Sequence, residues 1–188
     1  MTRTSRRALL LLPLAIAACS PTSSPPTVAS TPPPPPLPAH VPAADVGFAI
    51  AAAQSSLFAL QISQLAMQRA SRQGIKDFAQ SVLDTQTKST GELVGIMHAK
   101  GLNLPDSLTP AQAEAIQTLG NTQDGPRFAW AYFSALVRSQ IGSLQQMEAY
   151  ASKGTDPALK GFAAAQVPIL REQLARARQV PRQRSGAG

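Results

Sequence analysis

Residues 46–70 read VGFAIAAAQSSLFALQISQLAMQRA. Phe48, Ala52, Ala59, Ile62 and Ala66 recur at intervals of three, four or seven, the period of one α-helical face, and the strict alternation of a strand is absent. Ser55, Ala59, Ser63 and Ala66 add a line of small side chains along which a second helix can approach closely. This segment is therefore a long helix from Asp45 or Val46 to about Ala70, built to be packed by neighbours. It sets the fold class as all-α.

The same reading extends downstream. Gly74 marks a short turn, and a second helix covers about Ile75 to Lys100, with Gly101 as its C′ residue. Leu102 to Leu108, with Pro105, is a loop. Thr109-Pro110-Ala111-Gln112 has the form of a capping box with Pro at N1, opening a short helix that ends near Leu119. A loop from Gly120 to Pro126 leads into a helix from about Arg127 to Ser152. Asp156-Pro157 then supplies an N-cap and N1 for a last helix ending near Val180. Pro168 inside that helix removes one backbone bond and should kink or loosen the preceding turn. Two helical hairpins joined by a 101–126 connection long enough to cross over give a four-helix bundle with one short extra helix.

Upstream the composition changes. Residues 20–45 hold ten of the chain's 17 prolines, Pro32–Pro36 in one run. Such a stretch cannot bury a core and reads as a tether; fully extended at ~3.1 Å per residue it reaches about 80 Å. Before it, residues 1–7 are a positive segment and residues 8–18 an apolar run too short to span a bilayer, the pattern of a secretory signal. Ser5-Arg6-Arg7-Ala8-Leu9-Leu10 also has a weak likeness to a twin-arginine export signal. Ile16-Ala17-Ala18-Cys19 resembles a bacterial lipobox. That resemblance implies cleavage before Cys19, the chain's only cysteine, and lipid attachment to it; several acyl chains anchor stably where one is marginal. Ser20, where an Asp would favour inner-membrane retention, points to the outer membrane. The domains are then 1–18 signal, 19–45 lipid anchor and disordered Pro-rich tether, 46–180 helical domain and 181–188 a basic disordered tail.

The net charge of +7 belongs to the ends. Arg3, Arg6 and Arg7 leave with the signal, and Arg171, Arg176, Arg178, Arg182 and Arg184 crowd the C-terminus, while residues 20–170 balance nine basic against nine acidic side chains. A nucleic-acid partner is excluded on that distribution. The basic end reads as a solvated helix C-terminus whose Arg residues offset the dipole, with an anionic surface as the sharper alternative.

A search for chemistry returns little. One cysteine excludes an internal disulfide. The two histidines are separated, His40 in the tether and His98 near the end of helix two. No phosphate-cradling Gly-rich loop or HExxH motif is present. Trp130, Tyr132, Met147 and Tyr150 lie at helical spacing and read as core or groove residues.

The order of Phe48, Leu57, Leu65-Ala66, Phe78-Ala79-Gln80, Lys88, Glu92-Leu93, Gly101-Leu102, Leu104-Pro105, Phe128, Tyr132, Pro168 and Leu174 resembles the ferritin-like bacterial envelope family catalogued as "domain of unknown function 4142", whose members are often labelled outer-membrane proteins. The resemblance implies a ferritin-like four-helix bundle over residues 46–180, and no settled reaction. The departures are informative. The family usually carries a Glu where Ala59 stands, and Asp-His where Thr85-Gln86 stand. A His is usual at the positions of Gln140 and Gln173, and Ala129 replaces an Asp after Phe128. Inward Glu and His hold the metal pair of ferritin-like bundles, and Gln is a neutral, poor ligand. The expectation is a degenerate site, a buried polar network of Ala59, Thr85, Gln86, Gln140 and Gln173, with no metal, cofactor or catalytic residue. The protein is then a non-catalytic binding or structural module, lipid-anchored through Cys19 in the outer membrane and facing the periplasm, with a protein or envelope partner the residues do not specify. The competing expectation is a metal- or oxidant-handling stress protein using displaced carboxylates at Asp84, Glu92, Glu148 or Glu172.

Overall fold

A computed structural model describes residues 41–180; Cys19, His40, Arg182, Arg184 and the signal, most of the tether and the basic tail lie outside the described residues. Five helices follow in order: α1 (Ala43–Arg69), α2 (Gln73–His98), α3 (Pro110–Gly120), α4 (Pro126–Lys153) and α5 (Pro157–Gln179).

Local chemistry sets their ends. Thr109 accepts from the Gln112 N–H while the Gln112 side chain accepts from the Thr109 N–H, the reciprocal box that opens α3. Asp156 accepts from the Leu159 N–H at 3.0 Å and starts α5. Gly101 (φ +73°) turns the chain out of α2, and Gly125 (φ +87°) turns it into Pro126 at the start of α4; both need the left-handed region that glycine occupies freely. Pro168 does not break α5, which runs helical through it. The proline lies on the exposed face, as does Ala164, whose carbonyl it leaves without a helical donor, so water can take that bond.

Pairwise contacts give the topology. Ser63 of α1 meets Tyr132 of α4 at 3.1 Å, and Gln146 reaches the Phe48 carbonyl, so α1 and α4 are antiparallel. Arg176 of α5 meets Ser81 of α2, and Lys100 meets Asp156, so α2 and α5 are antiparallel too. It follows that α2 and α4 run the same way, and the connection between them must traverse the bundle. It does so along α1. Gln54 donates to the Ser107 carbonyl, Gln112 donates to the Gln54 carbonyl, and Arg69 gathers the far end. The Arg69 guanidinium donates to the carbonyls of Leu119, Gly120 and Thr122, pairs with Asp124 and stacks over the Phe128 ring. A cation thus satisfies the orphan carbonyls at the C-terminus of α3. Two antiparallel hairpins with one long crossover is the ferritin-like arrangement of a four-helix bundle.

Because α2, α3 and α4 all pack on α1, that helix is apolar nearly all round. By length and composition it could span a bilayer, but Phe48, Phe58 and Ile62 are buried in the bundle. The interior divides into two apolar clusters. One end holds Phe58, Ile62, Phe78, Phe128, Tyr132 and Phe133; the other holds Phe48, Leu93, Met97, Met147, Leu159 and Phe162.

Candidate functional site

Between the two clusters every long helix turns polar side chains inward. α1 contributes Ser55 and Ser56, α2 Gln86 and Ser89, α4 Ser139, Gln140 and Ser143, and α5 Gln166. Together with Ala59 they line a small cavity, about 20 Å³ measured at the centre of a water molecule, enough for one water. Gln140 (2% exposed) donates through Nε2 to Oε1 of Gln173 (4% exposed) at 2.7 Å. Gln140 Oε1 and Gln173 Nε2 have no hydrogen-bond partner among the described residues. A buried amide group left unpaired costs on the order of 1–3 kcal/mol, and the cavity that Gln140 lines has room for a water to meet it.

Four of the five residues singled out in the sequence therefore meet at one depth. Ala59, Gln86 and Gln140 line the cavity, and Gln173 bonds to Gln140. Thr85 does not join them. One residue from Gln86 turns a helix by about 100°, and Thr85 lies half-buried with its hydroxyl bonded to the Ser81 carbonyl of its own helix. Gln166 was missed. It lies seven residues before Gln173, on the same face, but no motif distinguishes that amide from the exposed glutamines around it.

The displaced carboxylates are elsewhere. Asp84, Glu92, Glu148 and Glu172 are all exposed; Asp84 accepts from Gln80, and Glu148 pairs with Arg171. Among the described residues no group of three or more His, Cys, Asp or Glu could hold a metal ion. The donors at the cavity do not fit the metal pair that the bundle architecture implies. A divalent ion there would meet neutral amides and hydroxyls, with no carboxylate to offset its charge in an apolar interior. Nor is there a proton-transfer group at the cavity, since Gln and Ser do not titrate in the ordinary range. Tyr132, above the layer, is held protonated: burial raises its phenol far above the usual value, against a smaller opposing effect of Ser63.

A sequence model of a family described as a domain of unknown function (DUF4142) matches residues 30–180. The chain belongs to this family. No curated protein and no solved structure matches it. The DUF4142 match takes in all five helices and reaches thirteen residues ahead of α1.

A second polar site lies at the base of the bundle. Asp45 is 2% exposed and accepts from the Tyr150 hydroxyl at 2.5 Å and the Thr155 hydroxyl at 2.7 Å. Burial first, then the hydrogen bond to Asp45 and that residue's charge, hold the Tyr150 phenol well above its usual value. Phe48 stacks on the Tyr150 ring at 3.7 Å, and Gly154 passes so close to it that a Cβ would clash. Sequence patterning set the start of the domain at about residue 46; the structure starts α1 at Ala43, so Asp45 belongs to the bundle. His98, by contrast, is an exposed residue ending α2.

The outer face between α1, α3 and α4 carries a groove of about 670 Å³. Its floor includes Ser55, Ser139 and Ser143, which also wall the inner cavity. Trp130 stands on its rim, 74% exposed, where helical spacing alone left it between core and groove.

Proposed function

We propose that this DUF4142 protein is an envelope lipoprotein whose helical domain is a non-catalytic binding or structural module. Cys19 carries the lipid, the Pro-rich segment spaces the domain from the outer membrane, and residues 43–180 face the periplasm. The observation that carries the non-catalytic part is the mid-bundle layer. Where the architecture has room for ligating and proton-transferring side chains, this chain places paired amides and serines, and its acidic residues nearby are on the exterior. Buried amides hold register between helices; they supply neither charge nor a titratable proton. The lipid anchor is supported by the sequence at Ile16-Ala17-Ala18-Cys19.

Two measurements test the two halves. Fatty-acid labelling and membrane fractionation of the bacterial protein should show a lipid-bearing chain, lost in Cys19→Ser; an unlabelled, soluble wild-type chain overturns the anchor. Metal analysis after incubation with iron(II), manganese(II) and zinc(II) should give well under one equivalent. Tight binding of one or two equivalents overturns the module reading. The anionic-surface alternative finds less support, because Arg171 is paired with Glu148 and Arg176 is engaged by Ser81 and the Phe78 ring.

A further inference from the structure

The cavity at mid-height offers more hydrogen bonds than its own residues use. Gln86, Ser89 and Gln166 are each more than nine-tenths buried, and none has a side-chain hydrogen bond to another described residue. Gln140 Oε1 has no partner among those residues either. Each amide brings donors and an acceptor, so the lining suits a small guest that both donates and accepts. The space of about 20 Å³ exceeds the ~10–15 Å³ that one water needs. Among the described residues no charged side chain lines it, which favours a neutral guest.

Met147 is the one readily oxidised side chain in that lining. It is 5% exposed and belongs to the apolar cluster of Phe48, Leu93 and Phe162, so it sits where that cluster meets the amide layer. We propose that Met147 is an oxidation site, reached by hydrogen peroxide that takes the place of water in the cavity. Peroxide is uncharged, and each of its two hydroxyls donates and accepts, so it meets the same amides and hydroxyls that hold water. The route is from the outer groove. Ser55, Ser139 and Ser143 wall both spaces, so only small side chains stand between them.

A lone pair of the Met147 sulfur attacks one peroxide oxygen, the O–O bond breaks, and that oxygen stays on sulfur as the sulfoxide. The departing oxygen takes the proton that the transferred one carried and leaves as water. Sulfur loses two electrons and the peroxide gains them. The new oxygen is an acceptor, which an apolar core would strand. Here the N–H groups of Gln86 and Gln166, lining the same cavity and unpartnered among the described residues, can donate to it. Met97 is the internal control. It is 1% exposed in the same apolar cluster and is not among the residues that line the cavity.

One digest reads the two methionines separately. Trypsin releases Met147 in Ser139–Lys153 and Met97 in Ser89–Lys100, each peptide with a single methionine. In the folded full-length protein under dilute hydrogen peroxide, Met147 should convert to sulfoxide roughly ten-fold faster than Met97, and the two rates should converge in urea. Equal rates in the folded protein would mean that both react through opening of the bundle, and a difference that persists in urea would belong to the local sequence; either overturns the proposal. tert-Butyl hydroperoxide, too bulky for the cavity, should leave Met147 intact, and oxidation by both reagents alike overturns the cavity route. Ser139→Val adds methyl groups to the shared wall and should slow Met147 severalfold with Met97 unchanged; an unaltered Met147 rate overturns that route as well. Protein oxidised at Met147 alone should keep its helical circular dichroism and its urea midpoint, and a bundle that unfolds on this oxidation would show that the layer does not accept the oxygen and overturn the proposal.

Discussion

Two of the polar sites buried in the bundle are opposite in kind. At the base, Asp45 is surrounded by donors. Tyr150 and Thr155 each give it a hydroxyl, and the group joins the start of α1 to the end of α4 and the turn before α5. At mid-height, Gln140 and Gln173 share one hydrogen bond and leave a buried acceptor and a buried donor unpaired among the described residues. A completed cluster is a fastener: its charged hydrogen bonds hold distant segments to one buried acceptor. An incomplete one contributes less to stability than a completed one and can still set the register between helices.

The largest effect should come from breaking the fastener. Asp45→Ala removes the charged acceptor that the Tyr150 and Thr155 hydroxyls share and loosens the α1–α4 junction; about 3 kcal/mol of unfolding free energy should be lost in urea titrations. A loss below that of any amide variant would erase the distinction between the two sites. The amide layer should respond less and non-additively. Gln140→Leu leaves both polar atoms of Gln173 buried without a partner and should cost about 2 kcal/mol. Gln140→Leu with Gln173→Leu removes every stranded group at similar volume and should fall within about 1 kcal/mol of the wild type. Additive losses in that double-mutant cycle would show that the layer is a fastener after all.

Much of this contrast was legible in the sequence, for reasons that differ by residue. Ala59, Gln86, Gln140 and Gln173 follow from helical spacing once the family pattern fixes the register, because period and register together decide a face. The ends of α3 and α5 are legible because Thr109…Gln112 and Asp156-Pro157 act over three or four residues. Asp45 was illegible: its burial depends on Tyr150 and Thr155, more than a hundred residues away, and a lone acid at a helix start ordinarily faces water. Arg69 is the same case, a cation whose partners arrive with the crossover fifty residues later. Trp130 shows the remaining gap. Helical spacing gives the face a side chain occupies, and only the path of α3 decides what, if anything, covers it.

The smallest expected effect sharpens the contrast through pH. Asp156 sits at the base beside the Asp45 cluster, capping α5 and pairing with Lys100 at 2.5 Å. Burial is the largest single influence on its carboxyl and raises the value. The Lys100 contact together with the Leu159 and Ala158 N–H groups outweighs burial and holds it below the usual aspartate range. A carboxyl whose folded value is depressed adds stability above its unfolded value and loses that contribution as pH falls through the folded one. Asp156→Asn keeps a capping side chain but cannot ionise. It should be less stable than the wild type by about 1 kcal/mol at pH 7, and the gap should close on acidification below the ordinary aspartate range. The amide layer contains no titratable side chain, so the Gln140→Leu deficit should stay constant over the same interval. A Gln140→Leu deficit that closes in step with that of Asp156→Asn would mean that the two polar sites are coupled through the lower cluster, and that the base and the layer form one network.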